Sequence, residues 1–210
     1  MLKKFSILFL LVVSCPVMAD ESDCIKYKIS PRTTFSMPNI TKKIVQPIDS
    51  FESFGNVQSN LFSSYETEFD IKLINDGYCY ILTKLDSIIG YDEFLIRIDM
   101  RYTPDSCAYK KILKHEEGHV QIYSEIINEY KHELQNAIHS AADSIMPIFV
   151  DKSVEIKKMK EVVSDALYEK IKKHPDIVLV MNKIKSAEEI RNKKFDEQDR
   201  YDISDLDKCP

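Results

Sequence analysis

His115-Glu116-Glu117-Gly118-His119 sets two imidazoles four residues apart, with a carboxylate directly after the first, in the arrangement H-E-x-x-H. Four residues on an α-helix advance about 400° and about 6 Å, so both imidazoles leave the same side of the helix. Two neutral His nitrogens so placed can bind one Zn2+ at about 2.0–2.1 Å. Glu116 leans toward the same cavity, close enough to take a proton from a zinc-activated water without ligating the metal. In peptide hydrolysis the same carboxylate would return that proton to the leaving amine.

The helix that must carry these groups has clear signals. Pro104-Asp105-Ser106 opens it, and no Pro intervenes before about Ala142. Ile112, Ile122, Ile126, Tyr130, Ala137 and Ala141 recur at helical spacing. With His115 at 0°, His119 falls at about 40°, inside that stripe, so both imidazoles face the interior. The bland alternative is a pair of core histidines, but a chance H-E-x-x-H is rare, on the order of one per cent or less. Two His and a Glu on a buried face are also costly without a partner. The third ligand is not on this helix. His132 and His139 fall on the opposite face, and Glu129 sits about 15 Å beyond His119. Ile122 replaces the Gly that an H-E-x-x-H-x-x-G-x-x-H site needs, so Glu125 is not the third ligand. The candidates are His174 or the acidic tail with Asp202, Asp205 and Asp207.

The surrounding elements read as α+β. Ile25 to Ile29 alternates like a short strand, while residues 31–66, rich in Ser, Thr, Asn and Pro, show no firm element. Phe69, Ile71 and Leu73 alternate with polar residues, Asn75-Asp76-Gly77 supplies a turn, and Tyr78 to Leu85 reads as the return strand. A second turn at Gly90-Tyr91-Asp92 leads to a third strand, 93–102, in which Phe94, Ile96, Ile98, Met100 and Tyr102 share a face. The expectation is a small antiparallel meander with one buried face, followed by the long H-E-x-x-H helix and two further helices. Strand 93–102 would lie along the cleft and offer backbone groups to an extended substrate. The second helix runs from about Ser153 to Lys172. After His174-Pro175, Asp176 caps a third, carrying Ile177, Val180, Met181, Ile184, Ala187 and Ile190. Lys157-Lys158 and Lys193-Lys194 read as solvated helix faces.

Met1-Leu2-Lys3-Lys4 and the apolar run Phe5 to Val13 read as a signal peptide, since the run is far shorter than the ~20 residues that span a bilayer. Release after Ala19 leaves 20–210 as a single domain. Val12-Val13-Ser14-Cys15 offers the alternative of a lipoprotein anchored through Cys15. Loss of residues 1–19 removes Lys3 and Lys4 and no acid, moving the formal charge from −5 to −7. That balance argues against nucleic acid or anionic lipid as a partner. Cys24, Cys79, Cys107 and Cys209 remain, enough for two disulfides in an exported chain. With Cys79 on the sheet and Cys107 where the chain leaves it, the expected pairs are Cys79–Cys107 and Cys24–Cys209.

The stretch from Cys107 to Ile126 around the motif, with a Cys-bearing strand before it, resembles the bacterial family of predicted secreted zinc-dependent proteases. That family closes with a motif of the form Tyr-Asp-x-x-Thr-x-His-Gly. Tyr201-Asp202 match its first two positions, whereas Asp205 stands at the Thr, Asp207 at the His and Lys208 at the Gly. The resemblance implies a zincin-like fold and a periplasmic or secreted zinc peptidase with a peptide or protein substrate. It also implies a third ligand in the C-terminal motif, where Asp207 or Asp202 can replace imidazole on zinc. Tyr201 is then a candidate to stabilise an oxyanion. The competing expectations are an amide hydrolase of cell-wall material and a non-catalytic envelope protein whose metal is structural or absent.

Overall fold

The computed structural model describes residues 22–39, 41–45, 54–75, 77–153, 156–199, 206 and 209. The expected signal peptide, with Cys15, and the tail residues Tyr201, Asp202, Asp205 and Asp207 lie outside them. The elements run α1 (Ser22–Ile25), β1 (Arg32–Ser36), β2 (Thr41–Val45), β3 (Gly55–Leu73) and β4 (Gly77–Ile98). There follow α2 (Cys107–Ser144), β5 (Ile148–Asp151), α3 (Ile156–Lys172) and α4 (Pro175–Gln198).

β4 is the axis of a five-stranded mixed sheet. Along one edge it pairs antiparallel with β3, in register from Gly55↔Ile98 to Leu73↔Tyr78. Along its other edge lie three short strands in succession: β5 antiparallel at residues 77–80, β1 parallel at 84–88 and β2 parallel at 93–97. The expected three-stranded meander is therefore a long hairpin. Its two strands are closed off where Ile74 N donates to Gly77 O at 3.0 Å. The second turn does not form. Gly90 and Tyr91 stay within β4, paired with Phe62 and Leu61, and the shift from Leu61↔Tyr91 to Ser59↔Phe94 marks a bulge there. Turn-type residues served to bend a strand rather than to end it.

Two more expectations fail. Ile25 to Ile29 is not a strand: α1 ends at Ile25 in a turn closed by Tyr27 N donating to Cys24 O, and Ile25 and Ile29 are exposed. Residues 31–66 are not featureless, for they hold β1, β2 and the first half of β3. Gly55, Ser59 and Ser63 take inward-facing positions of β3, which hides its apolar alternation.

α2 lies across the sheet. Leu85, Ile89, Phe94, Ile96 and Ile98 of β4 share one buried cluster with Ile112, Ile126, Leu134 and Ile138 of α2. Each such side chain contributes roughly 1.5–3 kcal/mol through burial. Asp99 ties down the link from β4 to α2, accepting from Arg101 N at 2.8 Å and from its guanidinium at 2.6 Å. Ser106 then caps α2, its Oγ accepting from Tyr109 N at 3.1 Å. Met100, past the end of β4, is exposed rather than buried.

α4 packs along α2. It opens with His174 at the N-cap position and Pro175 in the first turn. Asp176, expected as the cap, sits inside that turn and accepts from Ser140 Oγ at 2.7 Å. Ile177, Val180 and Ile184 are buried, while Ile190 points outward. The disulfides are Cys24–Cys79 and Cys107–Cys209, not the pairs expected. α1 sits against the start of β4, and the C-terminus returns to the first residue of α2.

Candidate metal centre

Glu116 is buried, His115 is 8% exposed, and His119 is partly buried, on the face of α2 that meets α4. α4 faces them with a polar continuation of its own apolar stripe. At 100° per residue, Glu188, Phe195 and Asp199 lie within about 60° of Ile184, with Asn192 and Asp196 on the flank of the same face.

Those α4 residues complete the group. Asp196 Oδ1 lies 3.0 Å from His119 Nε2 and 3.3 Å from His115 Nε2, and the two Nε2 atoms are 3.3 Å apart. His115, His119 and Asp196 form a group able to hold a metal ion. Ligands of a tetrahedral ion at 2.0–2.1 Å would be separated by about 3.3 Å, which these edges approach. The other imidazole nitrogens are occupied: His119 Nδ1 faces Asn192 Oδ1 at 2.8 Å and His115 Nδ1 faces Asp199 Oδ2 at 3.1 Å. A carboxylate and an amide oxygen both accept, so these partners select the tautomers protonated at Nδ1. Both Nε2 lone pairs then turn toward the Asp196 oxygen. Three acceptors then converge on one point, an arrangement that a bound cation, or a proton on one imidazole, would satisfy.

The centre opens into a cleft of about 560 Å³ whose walls include Glu116, Tyr123, Asn192 and residues 54–57 of the chain entering β3. Gly55 allows the approach. A Cβ there would stand 2.6 Å from Glu116 Oε1 and 2.7 Å from Ile112 Cγ2. Burial, and secondarily the charge of Asp196, push the Glu116 carboxyl up to about 7. Strand β4 does not line the cleft as expected, because both its edges are already paired. β3 does so instead, and among the described strands none pairs with its outer edge.

No protein-family model matches this chain, nor does any curated protein or any solved structure.

His115, Glu116 and His119 come together as their spacing predicts. His174 does not join them. It stands at the N-terminus of α4, about 33 Å from Asp196 along the helix axis, near Asp176 at 3.9 Å. His132 and His139 are exposed, as expected. Glu129 pairs with Arg191, and Glu125 accepts from Gln121. The carboxylate met by the His pair was missed in the sequence because Lys193-Lys194 made this stretch of α4 look solvated. Extending the Ile177–Ile184 stripe would have brought Glu188, Phe195 and Asp199 to that face, with Asp196 on its flank. Gly118 was also passed over. A glycine inside a helix costs roughly 0.8–1 kcal/mol relative to Ala, and this one stands against the Phe195 ring of α4.

Proposed function

We propose that the chain is a zinc-dependent hydrolase of the kind its helix motif resembles, cleaving peptide bonds outside the cytoplasm. The observation that carries this reading is the convergence of His115 Nε2, His119 Nε2 and Asp196 Oδ1 beside a buried carboxylate at the wall of an open cleft. A zinc ion held by these three would supply a Lewis acid that polarises the scissile carbonyl and activates water. Asn192 and Asp199 hold the imidazoles in the ligating tautomer and orientation. Glu116, buried at the cleft wall beside the donor group, would take the proton of the attacking water and return it to the leaving amine. The outer edge of β3 at residues 54–57 can pair with an extended substrate backbone and lay it across the centre. Tyr123, on the cleft wall, can donate to the developing oxyanion.

Two His and one carboxylate also suit Fe(II). Zinc is favoured because Glu116 stands ready as a base, a group that hydrolysis needs. Two disulfides suit an oxidising compartment, and among the described residues no helix is long and apolar enough to cross a membrane. The test combines metal analysis with hydrolysis of peptide libraries and of cell-wall fragments. Wild type should bind one zinc and cleave peptides, and Glu116→Gln should keep the zinc while losing about 10²–10⁴-fold in turnover. Turnover unaffected by Glu116→Gln would refute the mechanism. Cleavage of cell-wall amides alone would move the substrate class, and zinc held by four protein ligands with no turnover would make the metal structural.

A further inference from the structure

Gly118 sits within the metal motif, between the two histidines, where the Phe195 side chain of α4 meets α2. A Cβ at this position would stand 2.8 Å from Phe195 Cε1 and closer still to Cζ. The Phe195 ring therefore occupies the notch that the glycine leaves. From there it stacks on His115, with ring centroids 4.9 Å apart and planes 23° from parallel, and meets His119 edge-on at 5.0 Å. Its ring lines the side of the helix pair away from the catalytic cleft, with Lys114 and Gln121. The next residue in the chain is Asp196, the third donor.

The third donor is an aspartate, whose carboxyl stands one methylene closer to the backbone than that of a glutamate. Its Oδ1 comes within 3.3 Å of both Nε2 atoms only because α4 runs this close to α2. We infer that Gly118 and Phe195 are matched positioning residues: the notch and the ring together set the helix separation at which Asp196 reaches both imidazoles. The inference rests on the metal reading above. The ring has a second effect. Stacked on His115, it fixes that imidazole's plane and closes its outer face to water, while the cleft side stays open to substrate.

The pair can be tested by zinc affinity in chelator competition, with helix content and thermal unfolding of the metal-free protein followed alongside. Gly118→Ala should lower zinc affinity by tenfold or more, although alanine is the better helix former. Phe195→Leu, which removes the outer ring atoms, should by itself lower it less than Gly118→Ala does. The double variant should recover most of what Gly118→Ala loses. Cobalt(II) absorption should change in Gly118→Ala and return toward wild type in the double variant, a readout that a purely structural role would not move. Zinc affinity of Gly118→Ala within threefold of wild type would overturn the inference, as would a double variant that binds no better than Gly118→Ala. If Gly118→Ala does not fold, the double variant asks the same question: folding with zinc bound supports the pairing, and failure to fold overturns it. A wild-type chain that takes up no zinc overturns the metal reading and this inference with it.

Discussion

The two halves of the α2–α4 helix pair share one packing geometry and opposite chemistry. In one half, Leu134, Ile138 and Ala141 of α2 join the same buried cluster as Ile177, Val180 and Ile184 of α4. In the other, His115 and His119 meet Asn192, Asp196 and Asp199. Apolar contact stabilises the first half whether or not a ligand is present. The second half sets polar groups that can accept against one another, where a cation or a proton would satisfy them. The difference teaches where stability and chemistry are lodged: the apolar half holds the helices together, and the polar half, where Phe195 seats against Gly118, carries the donors.

The sharpest way to break that division is to exchange its consequences. Leu134→Ala should cost about 2–5 kcal/mol in the unfolding free energy of the metal-free protein, measured by denaturant titration, through the cavity it leaves. Asp196→Ala should change metal-free stability by no more than about 0.5 kcal/mol, since its carboxylate is exposed, yet weaken zinc binding by more than about 100-fold. Equal losses of metal-free stability from the two substitutions would erase the distinction between the halves.

The next effect separates the ligands from the groups that orient them. Asn192→Ala and Asp199→Ala each leave the donor triangle intact but free one imidazole to turn or change tautomer. Zinc affinity should fall about 10–100-fold in each, less than for Asp196→Ala. Isothermal titration of the three variants ranks them, and an Asn192→Ala protein that binds as tightly as wild type would remove the orienting role.

The smallest effect lies outside the helix pair. Arg101, by its side-chain hydrogen bond and then its backbone one, holds Asp99 below the usual carboxylate range against the opposing effect of burial. A depressed folded pKa contributes stability that is present above the unfolded value of about 3.9 and is lost as pH falls through the folded one. Half-exposed Arg101 limits the contribution to about 1 kcal/mol. Asp99→Asn should lower unfolding free energy by about that amount at pH 7, and the difference should fade by about pH 2. A difference that persists at pH 2 would mean that packing, not charge, accounts for the loss.

How much of this was legible in the sequence follows from how each residue type signals. α2 could be read from its Pro-Asp-Ser start to within two residues of its end, because its stripe is apolar and its cap is a serine. His115, Glu116 and His119 were legible because helical spacing alone brings them together. β1 and β2 were not, being short, exposed edge strands whose Thr and Lys carry no alternation. Asp196 was hidden for a different reason. An exposed aspartate at the flank of a helix face looks merely solvated until its partner is known, and the partner here is 77 positions away in the chain. The disulfides were misread because Cys24 lies next to Cys79 in space and 55 residues from it in sequence.

The most direct test is anomalous diffraction at the zinc edge on crystals of the zinc-loaded protein. The ion should lie about 2.0–2.1 Å from Nε2 of His115, Nε2 of His119 and an oxygen of Asp196, with Glu116 beside it and not bound. An ion held by Asp202 or Asp207 in place of Asp196, or no anomalous peak at the histidine pair, would contradict the assignment.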